Sequence, residues 1–387
     1  MGIGNKHMET CTQCGLCINV CPRYDDILLI EDLCNFLEGI SEKPCFDIKR
    51  CLTCNLCTVA CPEGLGIKNL ITASRQKMTT MNGITAQQTM ADPFSDNNLY
   101  RKFSERREIA TFEREGRNGE VLFFPGCAGT VIFPRMSRAM VNVLEQAGVD
   151  YTVMSGIDWC CGAVAAGAGN REPAIKMGVT ITDEARSRGV KTIVTTCPGC
   201  FMAFKFLYPQ FIKNMDFEIL QASQYLKKLI DAGRIRLNTL ENRVFYHDPC
   251  HLTRGMGIEQ EPRDVLKSIP GTILLNTTTK GSACCGLGGG VRVNFPFDSI
   301  EMASQRHTYA KKLGCDTLIT NCAGCLQNLI EGSGGSDLKI FDLTEYVAKA
   351  MGIRVKRSAQ DDRETINLLN EIYCQCLPAY GEQKIFC

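Results

Sequence analysis

The stretch TIVTTCPGC, residues 192–200, recurs 125 residues later as TLITNCAGC, residues 317–325. Each copy is a short apolar run with β-branched residues that ends in a Cys-x-x-Cys turn, a pattern that predicts a buried strand. VLFFPGC at 121–127 and RVFYHDPC at 243–250 form a second pair of the same kind. The sequence therefore contains an internal duplication.

The two halves of the duplication show the same order of strand and helix patterns. Helices are predicted over 132–147 and 171–188 in the first half and over 298–313 in the second. Both halves close with a short strand and a helix, at 217–229 and 338–350. Strands that alternate with helices imply a mainly parallel sheet covered by helices. The predicted fold class is α/β, with one α/β domain in each half.

Each half carries five cysteines in one order: a lone Cys, an adjacent Cys-Cys-Gly, and a Cys-x-x-Cys. They are Cys127, Cys160, Cys161, Cys197 and Cys200, and then Cys250, Cys284, Cys285, Cys322 and Cys325. Several follow predicted strands directly, where ligand sites of open α/β sheets gather. Adjacent side chains of an extended segment point to opposite sides, so a Cys-Cys pair suits a large cluster better than one tetrahedral metal. Five thiolates also exceed the four that a cubane or a structural zinc requires.

The N-terminal region contains C-x2-C-x2-C-x3-C-P twice, which is the bacterial ferredoxin pattern. In that pattern three thiolates bind one 4Fe-4S cubane and the fourth reaches the other cubane. We therefore expect cubane 1 on Cys11, Cys14, Cys17 and Cys61, and cubane 2 on Cys51, Cys54, Cys57 and Cys21. Zinc is the alternative, but this spacing with a terminal proline is not that of a zinc ribbon. A small helical two-cluster ferredoxin-like domain is thus expected to precede the two α/β domains.

The composition indicates an intracellular metalloprotein. A chain of 387 residues with 44% hydrophobic residues can bury ordinary cores, so its 24 cysteines are not needed as disulfide staples. MGIGNKHMET lacks the apolar region of a signal peptide, and no run of about 18 apolar residues is present. The expected location is the reducing cytoplasm, with membrane association only through a partner subunit. A net charge of +1 gives no support for nucleic acid as a partner.

The chain divides into five predicted segments. They are the ferredoxin-like domain at 1–75, a polar connector at 76–118, the two repeated domains at 119–238 and 239–355, and a C-terminal tail at 356–387. Six cysteines lie outside the repeated patterns, namely Cys34, Cys45, Cys315, Cys374, Cys376 and Cys387. Cys315 has the context of a buried small hydrophobe. The three in the tail suit a further metal, a thiol pair or a partner-binding tail.

At the two repeats the sequence resembles the family named for its Cys-Cys-Gly domains, and over most of its length it resembles heterodisulfide reductases. The match is to their catalytic D component, or to a fusion of the C and B components, and leaves out the connector and the residues after about 355. The resemblance implies that each five-cysteine set holds a noncubane 4Fe-4S cluster, made of a 3Fe and a 2Fe unit that share an iron. The implied cofactors are two cubane and two noncubane [4Fe-4S] clusters.

The resemblance implies a subunit that reduces a disulfide such as coenzyme M-coenzyme B disulfide, or runs the reverse thiol oxidation. Similar chains only pass electrons, and the alternative is an electron-transfer subunit that links a flavoprotein dehydrogenase or aromatic-CoA reductase complex to a quinone, cytochrome or ferredoxin. No flavin or nicotinamide motif is present. Gly162 and the glycines at 286–290 are expected to allow close backbone approach to a cluster, and the run at 286–290 lacks the Gly-Lys-Ser/Thr of a phosphate loop. The expected partners are a flavoprotein or other electron-donating subunit, a membrane cytochrome b subunit, and small-molecule thiols or disulfides.

Five residues beside the cysteines are further candidates, and four of them have two interpretations each. His251 follows Cys250 and either donates a proton to a leaving thiolate or hydrogen-bonds a turn or a cluster sulfur. His247 is expected to be packed. Arg254 and Lys280 either bind an anionic substrate group or are surface charges. Trp159 either shields a cluster from water or belongs to the core.

Overall fold

Two four-stranded parallel sheets form the centre of the repeats, with strand orders β2-β1-β3-β4 and β6-β5-β7-β8. The structure, a computed structural model, describes residues 3–24, 29–276, 282–355 and 359–377. In the first repeat the strands are β1 Val121–Phe124, β2 Tyr151–Val153, β3 Thr192–Thr195 and β4 Glu218–Gln221. In the second they are β5 Asn242–Tyr246, β6 Thr272–Leu274, β7 Thr317–Thr320 and β8 Lys339–Asp342. The predicted α/β fold is confirmed.

Helices cover both faces of each sheet. Those that belong to the N-terminal part and the connector are α1 Ile3–Thr10, α2 Leu16–Asn19, α3 Leu29–Glu38, α4 Leu56–Ala60, α5 Ile67–Asn82, α6 Ala86–Ala91 and α7 Leu99–Ser104. Those of the first repeat are α8 Pro134–Gln146, α9 Ala163–Gly167, α10 Glu172–Ser187, α11 Pro198–Met202 and α12 Ala222–Asp231. Those of the second repeat are α13 Thr253–Met256, α14 Gln260–Lys267, α15 Val291–Asn294, α16 Pro296–Lys312, α17 Ala323–Glu331 and α18 Leu343–Ala350, and α19 Ala359–Cys376 follows.

The strand registers align the two repeats residue by residue. Val121 in β1 is opposite Thr192 in β3, and Val244 in β5 is opposite Thr317 in β7. In both sheets the order of the strands reverses beside the first strand. The carboxyl ends of β1 and β3, and of β5 and β7, therefore border a crevice of the kind that binds ligands. The repeated cysteines lie in the segments that follow β1, β2 and β3 in the first repeat and β5, β6 and β7 in the second.

The two repeats pack through reciprocal helix pairs. Helix α8 of the first repeat lies against α18 of the second, and α12 lies against α14. They share an apolar core whose members include Val143, Leu226, Leu266 and Val347. A buried ion pair reinforces the contact, because Arg135 Nε on α8 lies 2.9 Å from Glu345 Oε1 on α18.

The N-terminal helices form a separate small core, and the C-terminal helix packs on the second repeat. Leu33, Cys34 and Leu70 are among the buried residues of the N-terminal core. Helix α19 lies against α7 and α17 and buries Leu369 and Ile372. Within the described residues, no helix has the length and apolar character needed to cross a bilayer.

Asp342 gives the second repeat a pH-dependent stability. Its carboxylate caps α18 by accepting a hydrogen bond from Thr344 N at 2.9 Å, yet burial, together with nearby Glu345, raises the pKa of Asp342 to about 7. A raised folded-state pKa contributes stability at low pH that is lost as the pH rises towards 7.

We expect Asp342→Asn, which keeps the capping oxygen, to remove this loss. The free energy of unfolding of the variant minus that of wild type should increase by about 2 kcal/mol between pH 5 and pH 7. Urea denaturation at several pH values measures it. Parallel pH profiles for the two proteins would contradict the assignment.

Candidate metal centres

Each set of five cysteines converges at the crevice of its sheet. We call Cys127, Cys160, Cys161, Cys197 and Cys200 site 1, and Cys250, Cys284, Cys285, Cys322 and Cys325 site 2. All ten are free thiols, and eight of them are buried, the half-buried ones being Cys197 and Cys322. Cys127 and Cys160 have their sulfurs 3.7 Å apart, and the equivalent pair Cys250 and Cys284 are 3.9 Å apart.

The contacts within the two sites follow the same path. In site 1 the sulfurs interact in the order Cys127, Cys160, Cys161, Cys200, Cys197. In site 2 the order is Cys250, Cys284, Cys285, Cys325, Cys322. Corresponding cysteines therefore occupy corresponding places, and the Cys-Cys pair contributes both of its thiols to one group.

The crowded thiols shift one another's pKa in opposite directions. Hydrogen bonds from Cys284 and Cys325 lower the pKa of Cys285 to about 6, and the hydrogen bond from Cys200 lowers the pKa of Cys197 to about 7. The hydrogen bond with Cys160 raises the pKa of Cys127 well above its usual value. Thiolates are the ligand form, so metal binding would release the protons that these thiols share. A buried donor set of five sulfurs without a carboxylate fits a multi-iron sulfur cluster better than a hard cation.

The ferredoxin-like motifs line two separate cavities. One is bordered by Cys21 together with Cys51, Cys54 and Cys57. The other is bordered by Cys61 together with Cys11, Cys14 and Cys17. Cys17 also borders the first cavity. The fourth cysteine of each motif thus lies with the first three of the other motif, which is the exchange expected for a two-cubane ferredoxin.

The two motifs share an uncommon backbone conformation. Gln13 and Thr53 occupy the same place in the two motifs and have φ values of 54° and 52°. Two residues further on, Gly15 and Asn55 have φ values of 72° and 65°. Left-handed residues at matched positions turn the chain so that backbone N–H groups can face the sulfurs, as Thr53 N does at 3.3 Å from Cys51 Sγ.

The loop of residues 51–57, which contains three of the cysteines expected to bind cubane 2, rests on the second repeat. Arg254 Nε donates to Cys54 O at 2.9 Å, and Asn55 Nδ2 donates to Arg254 O at 2.8 Å. A Cβ on Gly288 would lie 2.7 Å from Leu52 O. The glycines at 286–290 were expected to approach a cluster directly. Gly288 allows the second repeat to approach the loop of residues 51–57, and the approach of these glycines to a cluster stays a prediction.

Lys68 is a site residue that sequence reasoning missed. Burial lowers its pKa, whereas the thiols of Cys250, Cys51 and others raise it, which places the ammonium near Cys250 of site 2 and near the cysteines expected to bind cubane 2. Its Nζ lies 3.8 Å from Met202 Sδ in the first repeat. No motif spacing indicates this position, because the neighbours of Lys68 come from three parts of the chain.

Both histidines of the His-Asp-Pro-Cys-His run lie at site 2. His251 is half-buried, with Nδ1 3.8 Å from Cys250 Sγ. His247 is buried as expected, and its ring nitrogen and the sulfurs of Cys285 and Cys325 all lie within 4.8 Å of one another. Burial lowers the pKa of His247 to about 4. Packing was the correct expectation, but the proximity to two thiols was not foreseen.

The remaining candidate residues are Arg254, Trp159 and Lys280. Arg254 is half-buried and bonds to backbone, with Nη1 also donating to Ser282 O at 2.5 Å, so it joins two domains. Trp159 is half-buried against the core of the first repeat, with the Arg188 guanidinium 6.0 Å from its ring. Lys280 lies outside the described residues.

The cysteines outside the repeated patterns have different surroundings, and Cys374 on α19 is disulfide-bonded. Cys315 is buried, as expected of a small hydrophobe, and burial raises its pKa to about 11. Cys34 is fully buried in the N-terminal core, while Cys45 is exposed. Cys376 is half-buried on α19. Cys387 lies outside the described residues.

Comparison with protein families identifies the two repeats and the first motif. The cysteine-rich domain model, CCG, matches residues 121–205 and 244–330, and the 4Fe-4S binding domain model matches residues 5–24. The crystal structure of a hypothetical protein from Helicobacter pylori is similar in fold, with a TM-score of 0.54 and 12% identity over 85% of this chain and 65% of that one.

Similar proteins are components of redox enzymes. The D component of dihydromethanophenazine:CoB--CoM heterodisulfide reductase from Methanosarcina mazei is 28% identical over 90% of this chain and 95% of its own length. The B component of fumarate reductase (CoM/CoB) from Methanothermobacter marburgensis is 27% identical over 89% of this chain and 73% of its own. EtfAB:quinone oxidoreductase of Syntrophomonas wolfei is 28% identical over 64% of this chain and 36% of its own. The chain, with two CCG domains and a 4Fe-4S binding domain, is an iron-sulfur oxidoreductase related to the D component of heterodisulfide reductase.

Proposed function

We propose that this chain reduces a disulfide, or oxidises two thiols, at two noncubane [4Fe-4S] clusters held by site 1 and site 2. The observation that carries the proposal is the identical order of five contacting cysteines in both sites. A relay needs only one path for electrons, whereas cleavage of one disulfide needs two electrons and a place for each sulfur. Two complete sites meet that requirement.

Different residues of the chain would bind the clusters, supply a positive charge and provide a proton. Cys11, Cys14, Cys17 and Cys61 would hold cubane 1, and Cys51, Cys54, Cys57 and Cys21 would hold cubane 2. When bound, such clusters supply single electrons. Lys68 places a positive charge between the ligands of cubane 2 and Cys250, which would favour the added negative charge of reduction. His251, beside Cys250, is positioned to provide a proton to a departing thiolate.

The names of two relatives support a proposal for the substrate class. Heterodisulfide reductase and fumarate reductase (CoM/CoB) are both named for coenzyme M and coenzyme B. We propose the mixed disulfide of these two thiols, or a similar disulfide, as substrate. The balanced reaction takes two electrons and two protons into the disulfide bond and releases two thiols.

A second candidate is an electron-transfer subunit, favoured by the similarity to EtfAB:quinone oxidoreductase. In this role the clusters link a flavoprotein dehydrogenase or aromatic-CoA reductase complex to a quinone, cytochrome or ferredoxin. Both functions require partner proteins, such as a flavoprotein or a membrane cytochrome b. We propose a cytoplasmic location, because free thiols in such number suit a reducing compartment.

Anaerobic turnover with reduced viologen and coenzyme M-coenzyme B disulfide separates the two functions. We expect disulfide cleavage, about 16 irons per chain, and a paramagnetic signal that changes when a thiol is added to oxidised protein. Cys325→Ser should lose the thiol-dependent signal of site 2, while Cys315→Ser, a buried cysteine outside both sites, should keep it. Full iron content without response to any thiol would favour the relay, and about eight irons with zinc would refute both noncubane clusters.

A further inference from the structure

His247 has a buried ring nitrogen that the protein leaves unpaired. The residue is 2% exposed, and its Nε2 has no hydrogen-bond partner within the described parts of the chain. Its backbone is fixed, since His247 N donates to Ile319 O at 2.7 Å and Thr320 Oγ1 donates to His247 O at 3.3 Å. A buried polar atom without a partner destabilises the folded state, so this nitrogen is expected to have a function.

The imidazole of His247 belongs to site 2. The metal-binding atoms grouped with the imidazole are the sulfurs of Cys285 and Cys325, all within 4.8 Å of one another. These two thiols are adjacent in the contact path of site 2. Any cluster held by them would therefore have the imidazole at its edge.

Site 1 has an apolar residue at the equivalent position. The strand registers make Phe124 the counterpart of His247, because Phe124 follows Val121 by the same three residues that separate His247 from Val244. Phe124 is fully buried and packs edge-on against Phe204, with ring centroids 5.1 Å apart. The two sites thus have matching cysteines, but site 2 has a buried imidazole where site 1 has a phenyl ring.

We propose that His247 Nε2–H donates a hydrogen bond to a sulfur of the cluster in site 2, and that this bond raises the reduction potential of site 2 above that of site 1. Hydrogen bonds to cluster sulfurs stabilise the more negative reduced state and are a main determinant of iron-sulfur potentials. The inference rests on the proposed occupation of both sites. It assigns the first electron to site 2, which is also the site on which the loop of cubane 2 rests.

His247→Phe, which copies the residue of site 1, tests the proposal in a redox titration of the full chain followed by EPR. At a fixed potential we expect the reduced-to-oxidised ratio of site 2 to fall about tenfold, equal to a shift of about 59 mV for one electron. Site 1 should titrate unchanged. His247→Asn, which retains an N–H donor, should recover most of the shift.

Wild-type protein labelled with ¹⁵N-histidine provides a readout that needs no substitution. A weak nitrogen coupling in the pulsed EPR signal of site 2, lost in His247→Asn, is the expected result. A strong coupling would mean that Nε2 binds iron directly and would overturn the hydrogen bond. No coupling, or an unshifted potential in His247→Phe, would also reject it.

These outcomes separate the inference from the proposed function. Wild-type protein that lacks a cluster in site 2 would refute the proposed function. A loaded site 2 with the same potential in wild type and His247→Phe would refute the role of His247 alone. If His247→Phe fails to bind iron, the potential of His247→Asn and the nitrogen coupling in wild type still test the hydrogen bond.

Discussion

Arg263→Ala is expected to lower the free energy of unfolding by about 3–5 kcal/mol, because it leaves a buried carboxylate without its partner. The side chains of Arg263 and Asp248 are each 2% exposed, and the guanidinium binds both carboxylate oxygens at 2.7 and 2.9 Å. Arg263 Nη1 also donates to Glu259 O at 2.9 Å. Asp248 lies two residues before Cys250, so the same substitution should weaken iron binding at site 2.

Anaerobic urea denaturation followed by circular dichroism, with iron quantitation on the same samples, measures both effects. Lys191→Ala is the matched control. It also breaks an ion pair, to Glu120, but the two side chains are 72% and 60% exposed. Exposed pairs contribute little, so this variant should match wild type within error. Equal stability of the two variants would show that the Arg263 pair does not anchor the segment before Cys250.

Gly289→Ala is expected to reduce disulfide turnover by about 10–100-fold, the usual cost of disturbing groups around a metal centre. Gly289 has φ +66°, and a Cβ there would overlap Cys51 O and lie 2.8 Å from Leu52 C. The methyl group would push the loop of cubane 2 away from the second repeat. Electron delivery to site 2 should slow as a result, although the cysteines of both sites are unchanged.

Hydrogen exchange provides the structural measurement for this variant. Amides in residues 48–57 should exchange faster in Gly289→Ala than in wild type, because the loop loses its support. Gly335→Ala is the control, since Gly335 has φ +78° and no described atom within 4 Å of a Cβ. It carries the cost of a left-handed alanine, about 1–2 kcal/mol, without the overlap. Similar turnover in both variants would indicate backbone strain and not loop docking.

The sequence predicted the features of the fold and of the cysteine groups that depend on local sequence patterns. Alternating apolar runs and helical periodicity indicated two α/β units, and both parallel sheets are confirmed. The spacing of eighteen cysteines grouped them as the structure places them, because each group lies on a few adjacent loops. Assignment of these groups to particular clusters stays a prediction.

Contacts between residues far apart in the chain could not be predicted from the sequence. Lys68 lies near Cys250 only because three domains meet there, and nothing in the residues around Lys68 encodes that meeting. The glycines at 286–290 indicated a close approach, but whether to a cluster or to the residue 51–57 loop depends on how the domains dock. His247 was expected to be packed, and its burial was foreseen from its strand. The direction of its ring depends on the turn that follows.

The reciprocal packing of α8 on α18 and of α12 on α14 has the form of a closed two-fold dimer within one chain. In a true homodimer every substitution appears twice, so neither half can specialise without the other. A covalent tandem removes this restriction while it keeps the self-complementary interface. Phe124 and His247 occupy equivalent positions, and this difference is one that only a tandem permits, since it makes the surroundings of the two cysteine sites unequal within one chain.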